Sequence, residues 1–167
     1  WNTGRMKHVI QTLKEKSNWT ANKEAGKIMG FAAHKSFLTY VGCVVILEKG
    51  SDGKILIPEV HYVVDCGVAV NTDRIRSQFE GGSQFATSLA TTSAITFENG
   101  QVQQNNFDTY QIIRMPASPK KIHVHIVESQ IKPTGVGEPP VPPFIPALAN
   151  AMYRMNGQRI YKLPFKV

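Results

Sequence analysis

The sequence predicts an α+β fold, in which a mixed sheet carries packed helices. Segments rich in β-branched and aromatic residues stand between segments whose apolar residues recur at helical spacing, in the order helix, strands, helix, strands, helix. The chain has 167 residues, of which 42% are hydrophobic and 19% are charged, a composition typical of one globular domain or of part of a larger one.

The first predicted helix spans residues 5–17, where apolar residues such as Ile10 recur at helical spacing. Residues 18–27 are polar and predict a loop. A short apolar segment follows over residues 28–34.

Two strands of a hairpin are predicted next. Residues 38–48 are β-branched and aromatic, and residues 54–65 continue this pattern after a turn at residues 51–53. Because proline cannot donate a ladder hydrogen bond, Pro58 predicts a bulge or an edge position in the second strand.

A second helix is predicted over residues 73–90, after a capping sequence that begins at Asn71. Its adjacent Gly81 and Gly82 each cost ~1 kcal/mol relative to alanine in a helix. The usual reason for such a cost is the close approach of another group to the backbone. The amide of the nearby Gln78 could serve a ligand, although a glycine pair that only packs explains the same pattern.

The remaining predicted elements are a hairpin at an Asn-Gly pair within residues 94–103, a strand over residues 121–128 and an apolar helix over residues 144–155. His123 and His125 alternate on the strand, so they share one face and could bind a metal. No third ligand is apparent in the sequence. We therefore expect two partly exposed strand histidines and no metal site.

The predicted loop over residues 129–143 contains the sequence TGVGEPP at residues 134–140, with Glu138 as its one carboxylate. Gly135 and Gly137 permit close approach to the backbone, while the two following prolines fix the chain. Spacing alone leaves two interpretations open. Glu138 is either held in place for a function or is an idle group in a surface turn.

The composition disfavours several functions. The net charge of +7 is spread along the chain, without the dense basic stripe and interleaved aromatics of a nucleic-acid-binding surface. We expect a solvated surface, or a face that meets an acidic partner chain. No run approaches the ~20 apolar residues of a membrane helix. Cys43 and Cys66 form no CxxC or Cys/His motif, so buried free thiols are expected; a disulfide between them has no support.

Five segments, in this order, resemble the C-terminal end of the molybdopterin-binding subunit of the xanthine oxidase/aldehyde oxidase family. Within that family they look most like the branch of isoquinoline 1-oxidoreductase beta subunits. One departure is Thr72, where the family usually has proline. The segments are VVDCGVAVN (63–71), QFEGG (78–82), NFDTYQIIRMP (106–116), VHIVES (124–129) and GVGEPPVPPFIPALANAMYRMNGQRIYKLP (135–164).

The resemblance implies a molybdenum-dependent oxidoreductase that hydroxylates N-heteroaromatic compounds or aldehydes with water-derived oxygen. It implies that Glu138 is the general base beside molybdenum. Gln78 matches a glutamine beside the molybdenum–pterin cofactor, and Gly81 falls in the same QFEGG segment. The backbone of Gly135, Val136 and Gly137 matches a segment that lines the cofactor. Electrons would leave through an iron–sulfur subunit or domain. The count of two cysteines in this chain agrees with iron–sulfur clusters that lie elsewhere.

Residues 1–167 are thus expected to be the C-terminal part of a molybdopterin-binding domain within a longer chain. The chain starts at Trp1 without a signal-peptide core, so we expect a missing N-terminus, which leaves the bacterial cytoplasm and the periplasm both open. Because other cofactor-binding loops of the family are absent, no cofactor is expected to bind tightly to this chain alone. Self-association through an exposed apolar patch is expected. The alternative is a non-catalytic α+β module that serves subunit assembly.

Overall fold

The structure is a computed structural model that describes residues 1–165. Four helices, six strands and a short 3-10 turn make up this described part. In chain order they are α1 (Thr3–Lys16), α2 (Trp19–Glu24), β1 (Ile28–Ser36), β2 (Thr39–Lys49), β3 (Ile55–Asp65), α3 (Thr72–Thr91), β4 (Phe97–Glu98), β5 (Gln101–Val102), the 3-10 turn (Met115–Ala117), β6 (Lys121–Ile126) and α4 (Val141–Asn156).

The main sheet has four strands in the order β1-β2-β3-β6. The first three strands are antiparallel neighbours, whereas β6 pairs with β3 in parallel, so the predicted mixed sheet is confirmed. At Pro58 the register against β2 shifts by one residue, because Ile46 lies opposite Glu59 while Glu48 lies opposite Leu56. The bulge expected at this proline is therefore present, and it lies in a strand that has a neighbour on each side.

Helices cover both faces of this sheet. On one face α3 and α4 pack over a core that includes Tyr62, Phe79 and Phe144, each fully buried. On the other face α1 packs through Met6, Val9 and Leu13. Because β2 lies between these layers, its residues from Thr39 to Leu47 are all buried, the uninterrupted pattern of a strand covered on both sides.

The structure differs from the sequence-based prediction in two elements and in the start of one helix. The polar segment expected as a loop contains α2, which Asn18 begins with a left-handed backbone and no side-chain cap. The short apolar segment over residues 28–34 belongs to strand β1, which pairs with β2 along its whole length. Helix α4 begins at Val141 because proline is tolerated in the first turn of a helix, so Pro142 and Pro143 lie inside the helix.

Two further expectations can be compared with the structure. Cys43 and Cys66 are both free and buried. Among the described residues, no helix has both the length and the apolar character needed to cross a membrane.

Candidate functional site

Backbone hydrogen bonds hold the loop that precedes Glu138 against the ends of the strands. The N–H of Thr134 donates to the carbonyl of Cys66 at 2.9 Å, and the N–H of Gly135 donates to the carbonyl of Phe37 at 3.2 Å. The hydroxyl of Thr39 donates to the carbonyl of Gly135 at 2.6 Å. The loop is therefore fixed to the β1–β2 turn and to the end of β3.

A buried tyrosine anchors the other side of Glu138. The hydroxyl of Tyr62 donates to the carbonyl of Pro140 at 3.3 Å and accepts from Ser83 at 3.0 Å. Burial raises the pKa of Tyr62 well above its ordinary value, so the hydroxyl keeps its proton and remains a donor. Pro139 and Pro140 are buried, whereas Glu138 is exposed. The carboxylate thus projects from a segment that is fastened on both sides.

The start of α4 lies three residues beyond this carboxylate. The N–H of Val141 donates to the backbone carbonyl of Glu138 at 3.0 Å. Pro142 and Pro143 have no N–H, so this helix end offers fewer free donors than most. The N-cap position is Pro140, which has no side-chain cap bond, and the carboxylate of Glu138 lies exposed beside this helix end.

Gly82 lets α3 approach the loop closely. A Cβ atom at Gly82 would lie 2.5 Å from Cγ and 3.3 Å from Cβ of Pro140. Gln78 is exposed and lies one helical turn before Gly82, on the same face of α3. The structure therefore brings the helix face that carries Gln78 to the loop that carries Glu138.

The backbone around these residues is open on its outer side. A Cβ atom at Gly81 or at Gly137 would meet no atom of the described residues within 4 Å. Val136 turns its side chain into the core beneath α3 and α4, which leaves the flanking glycine backbone at the surface. An exposed amide and an open glycine backbone fit the requirements of a large polar ligand such as a pterin cofactor. Because these residues are exposed or half-buried, they could form one wall of such a site and would not enclose it.

Sequence reasoning missed the β1–β2 turn as a neighbour of this site. Phe37 and Leu38 have φ angles of 49° and 63°, a left-handed conformation that is rare for bulky residues. Both side chains are exposed, at 60% and 65%. A Cβ atom at Gly135 would lie 2.7 Å from Cβ of Phe37, so the strained turn touches the loop directly. Nothing in the sequence SFLT (36–39) at this turn signals the strain.

A second polar cluster lies on the opposite sheet face, where α1 packs. The structure places His61 and Glu59 beside His123. His123 was a candidate in the sequence analysis, whereas His61 and Glu59 were not. Their spacing of two residues on a strand was the available signal. Burial lowers the pKa of His61, against the opposing effect of its bond to Glu59, so the imidazole is neutral at pH 7.

Comparisons with known proteins agree with the resemblance. A family model described as the molybdopterin cofactor-binding domain matches residues 6–119. The chain is 30% identical over 162 residues to the isoquinoline 1-oxidoreductase subunit beta of Brevundimonas diminuta, an alignment that covers 95% of this chain and 21% of that protein. It is 27% identical over 168 residues to the membrane-bound aldehyde dehydrogenase (pyrroloquinoline-quinone) of Gluconacetobacter polyoxogenes, with 97% and 22% covered.

The fold is also that of a solved molybdenum hydroxylase. The crystal structure of quinoline 2-oxidoreductase from Pseudomonas putida 86 matches with a TM-score of 0.65 at 19% identity, over 75% of this chain and 17% of that chain. The chain belongs to the molybdopterin cofactor-binding domain family, the molybdopterin-binding part of molybdenum hydroxylases. It spans about a fifth of the length of the curated relatives it matches. The predicted fold class and family are thus confirmed.

Proposed function

We propose that this chain is the C-terminal part of a molybdopterin-binding subunit that hydroxylates N-heteroaromatic compounds or aldehydes with water-derived oxygen. The observation that carries the proposal is the fastened loop that presents Glu138 beside the Gln78 face of α3. When bound, the molybdenum–pterin group supplies the two-electron redox chemistry, and an iron–sulfur partner subunit takes the electrons.

Glu138 acts as the general base in this proposal. A base must lie within hydrogen-bond reach of its proton and must keep its position through turnover. The bonds at Gly135 and Pro140 supply that rigidity, and the exposed carboxylate has no side-chain partner among the described residues. Glu138 therefore accepts the proton from the water-derived oxygen that attacks the substrate.

The neighbouring residues position the cofactor. The amide of Gln78 donates a hydrogen bond to a polar edge of the molybdenum–pterin group. The backbone of Gly135, Val136 and Gly137 lines the same group, and Gly81 lets it approach α3 without meeting a side chain. Since all five positions are exposed or half-buried, the remainder of the subunit closes the site, and the isolated chain does not hold the cofactor tightly.

The second candidate is a non-catalytic module that serves subunit assembly. Exposed apolar side chains would supply its contacts, such as Phe37 at 60%, Val70 at 80% and Phe85 at 56%. Exposed apolar side chains are also expected of a chain that packs against further parts of a larger subunit. They therefore support assembly contacts under both proposals.

The test is an oxygen-labelling experiment on the protein that carries this chain, co-expressed with its iron–sulfur partner. Molybdenum content is measured, and a panel of N-heteroaromatic compounds and aldehydes is supplied in H₂¹⁸O. We expect molybdenum in the protein and one labelled oxygen in the product. A protein that assembles with its partner but has neither molybdenum nor turnover would favour the non-catalytic module.

A further inference from the structure

The cluster on the α1 face of the sheet combines three potential metal ligands. Oε2 of Glu59 lies 3.2 Å from Nε2 of His61 and 3.9 Å from Nε2 of His123. The three ligand atoms all lie within 4.8 Å of one another. Zinc binds imidazole nitrogen at about 2.0–2.1 Å and carboxylate oxygen at about 2.0–2.2 Å, which places tetrahedral ligand atoms about 3.3 Å apart. The first distance already matches, whereas one of the stacked rings of His61 and His123 must turn out of the stack before both Nε2 atoms can point at one ion.

Strand pairing fixes the ligands relative to one another. His61 lies directly opposite His123 in the parallel pair of β3 and β6, and their rings stack with centroids 4.5 Å apart. Glu59 precedes His61 by two residues on β3, so its side chain points to the same face. The backbone thus holds all three side chains together without a ligand.

Two buried imidazole nitrogens beside the ligand atoms lack hydrogen-bond partners in the described part of the chain. The side chain of His61 is only 9% exposed, and its Nδ1 has no hydrogen-bond partner within residues 1–165. Buried polar atoms usually have partners, so such an atom calls for an explanation. Next to it on the same face, Nε2 of His125 is also buried and unpartnered in this described part of the chain. These two nitrogens are not the ligand atoms named above, but they show that the described protein groups leave the polar atoms of this histidine cluster only partly satisfied.

We propose that Glu59, His61 and His123 bind a divalent first-row transition-metal ion of the zinc type, with water in the fourth position. Two imidazoles and one carboxylate are a ligand set that suits such ions. Because His123 belongs to the edge strand and the other two ligands to its neighbour, the ion fastens β6 to β3. The site lies on the sheet face opposite Glu138, so it does not depend on the function proposed above.

The test titrates the metal-free chain with Zn²⁺ by calorimetry and with Co²⁺ by visible absorption, which reports tetrahedral coordination. We expect one ion per chain. His123→Ala and Glu59→Gln should each weaken Zn²⁺ binding at least about tenfold, since losing even an outer-shell partner costs about 10–100-fold. The matched controls are His8→Ala and Glu98→Gln, both exposed and outside the cluster, and they should bind as the unchanged chain does.

Both cluster variants should fold. The side chain of His123 is 41% exposed, and Glu59→Gln keeps the shape of the side chain. Circular dichroism checks that each variant is folded. At equal concentration, Zn²⁺ should raise the Tm of the unchanged chain by more than it raises the Tm of Glu59→Gln. Absence of binding to the unchanged chain, or equal binding by the cluster variants and the controls, would overturn the proposal.

Discussion

The two adjacent glycines of α3 predict opposite effects of the same substitution. At Gly81 an added Cβ meets no atom of residues 1–165 within 4 Å, so Gly81→Ala should gain about 0.8–1.0 kcal/mol of stability from helix propensity. At Gly82 the added Cβ would lie 2.5 Å from Cγ and 3.3 Å from Cβ of Pro140, whose ring can change its pucker but has no freely rotating side chain. Overpacking of this kind costs about 1–3 kcal/mol, which offsets or exceeds the propensity gain. The two variants should therefore differ by about 1–3 kcal/mol.

Urea unfolding of the two variants beside the unchanged chain measures this difference. For a chain of this length, about 1–3 kcal/mol corresponds to a Tm difference of about 2–12 °C. Gly81→Ala is the internal control, because it changes the same helix at the next residue and adds the same group. If Gly82→Ala were as stable as Gly81→Ala, with equal denaturant slopes, the close approach of α3 to the loop would be refuted.

Three other predictions follow from the packing and the charges. Gly30→Ala should destabilise the chain by about 3 kcal/mol or more in urea unfolding, because its Cβ would collide with the backbone of α4 at the carbonyl of Ala147; an unchanged midpoint would contradict this packing. Burial favours a raised pKa for Asp65, but the hydrogen bonds from Arg5 and the Gly67 backbone outweigh it and hold the pKa below its usual value. This stability is present above the unfolded-state pKa of about 3.9 and is lost as pH falls through the lower folded-state pKa. Asp65→Asn should therefore cost about 1.5–3 kcal/mol at pH 7 and progressively less in acid, and a pH-independent difference would refute the assignment. Burial raises the pKa of the Cys43 thiol, so thiol reagents should label it only after unfolding; rapid labelling of the native chain would contradict its burial.

The fold class was predictable because the strongest patterns are local. The strand that lies between two helical layers is recognisable from its uninterrupted apolar run, and the bulge at Pro58 follows from the missing N–H. The sequence pattern predicted less reliably which apolar residues of a helix lie on its buried face. Ile10 was expected in the apolar stripe of α1 and is 37% exposed, because Val9 takes the buried position. Phe85 was part of the α3 pattern and is 56% exposed, which periodicity alone could not reveal.

The candidate site was only partly readable from the sequence. The glycines and prolines around Glu138 signal a constrained loop, and the resemblance supplies its expected role. The anchors of that loop, Thr39 and Tyr62, come from distant strands, so only the folded chain shows them. The same reason explains why His61 was missed beside His123, since the parallel pairing of β3 and β6 joins segments that are about 60 residues apart in the sequence.

The most direct test of the account is the rate of substrate oxidation by Glu138→Gln in the complete subunit with its iron–sulfur partner. Molybdenum content is measured in the same samples, and Glu128→Gln, an exposed carboxylate after β6, is the control. A general base contributes about 10²–10⁴-fold, so turnover by Glu138→Gln should fall by that factor with molybdenum retained. Unchanged turnover at full molybdenum content would show that Glu138 is not the base and would contradict the central claim.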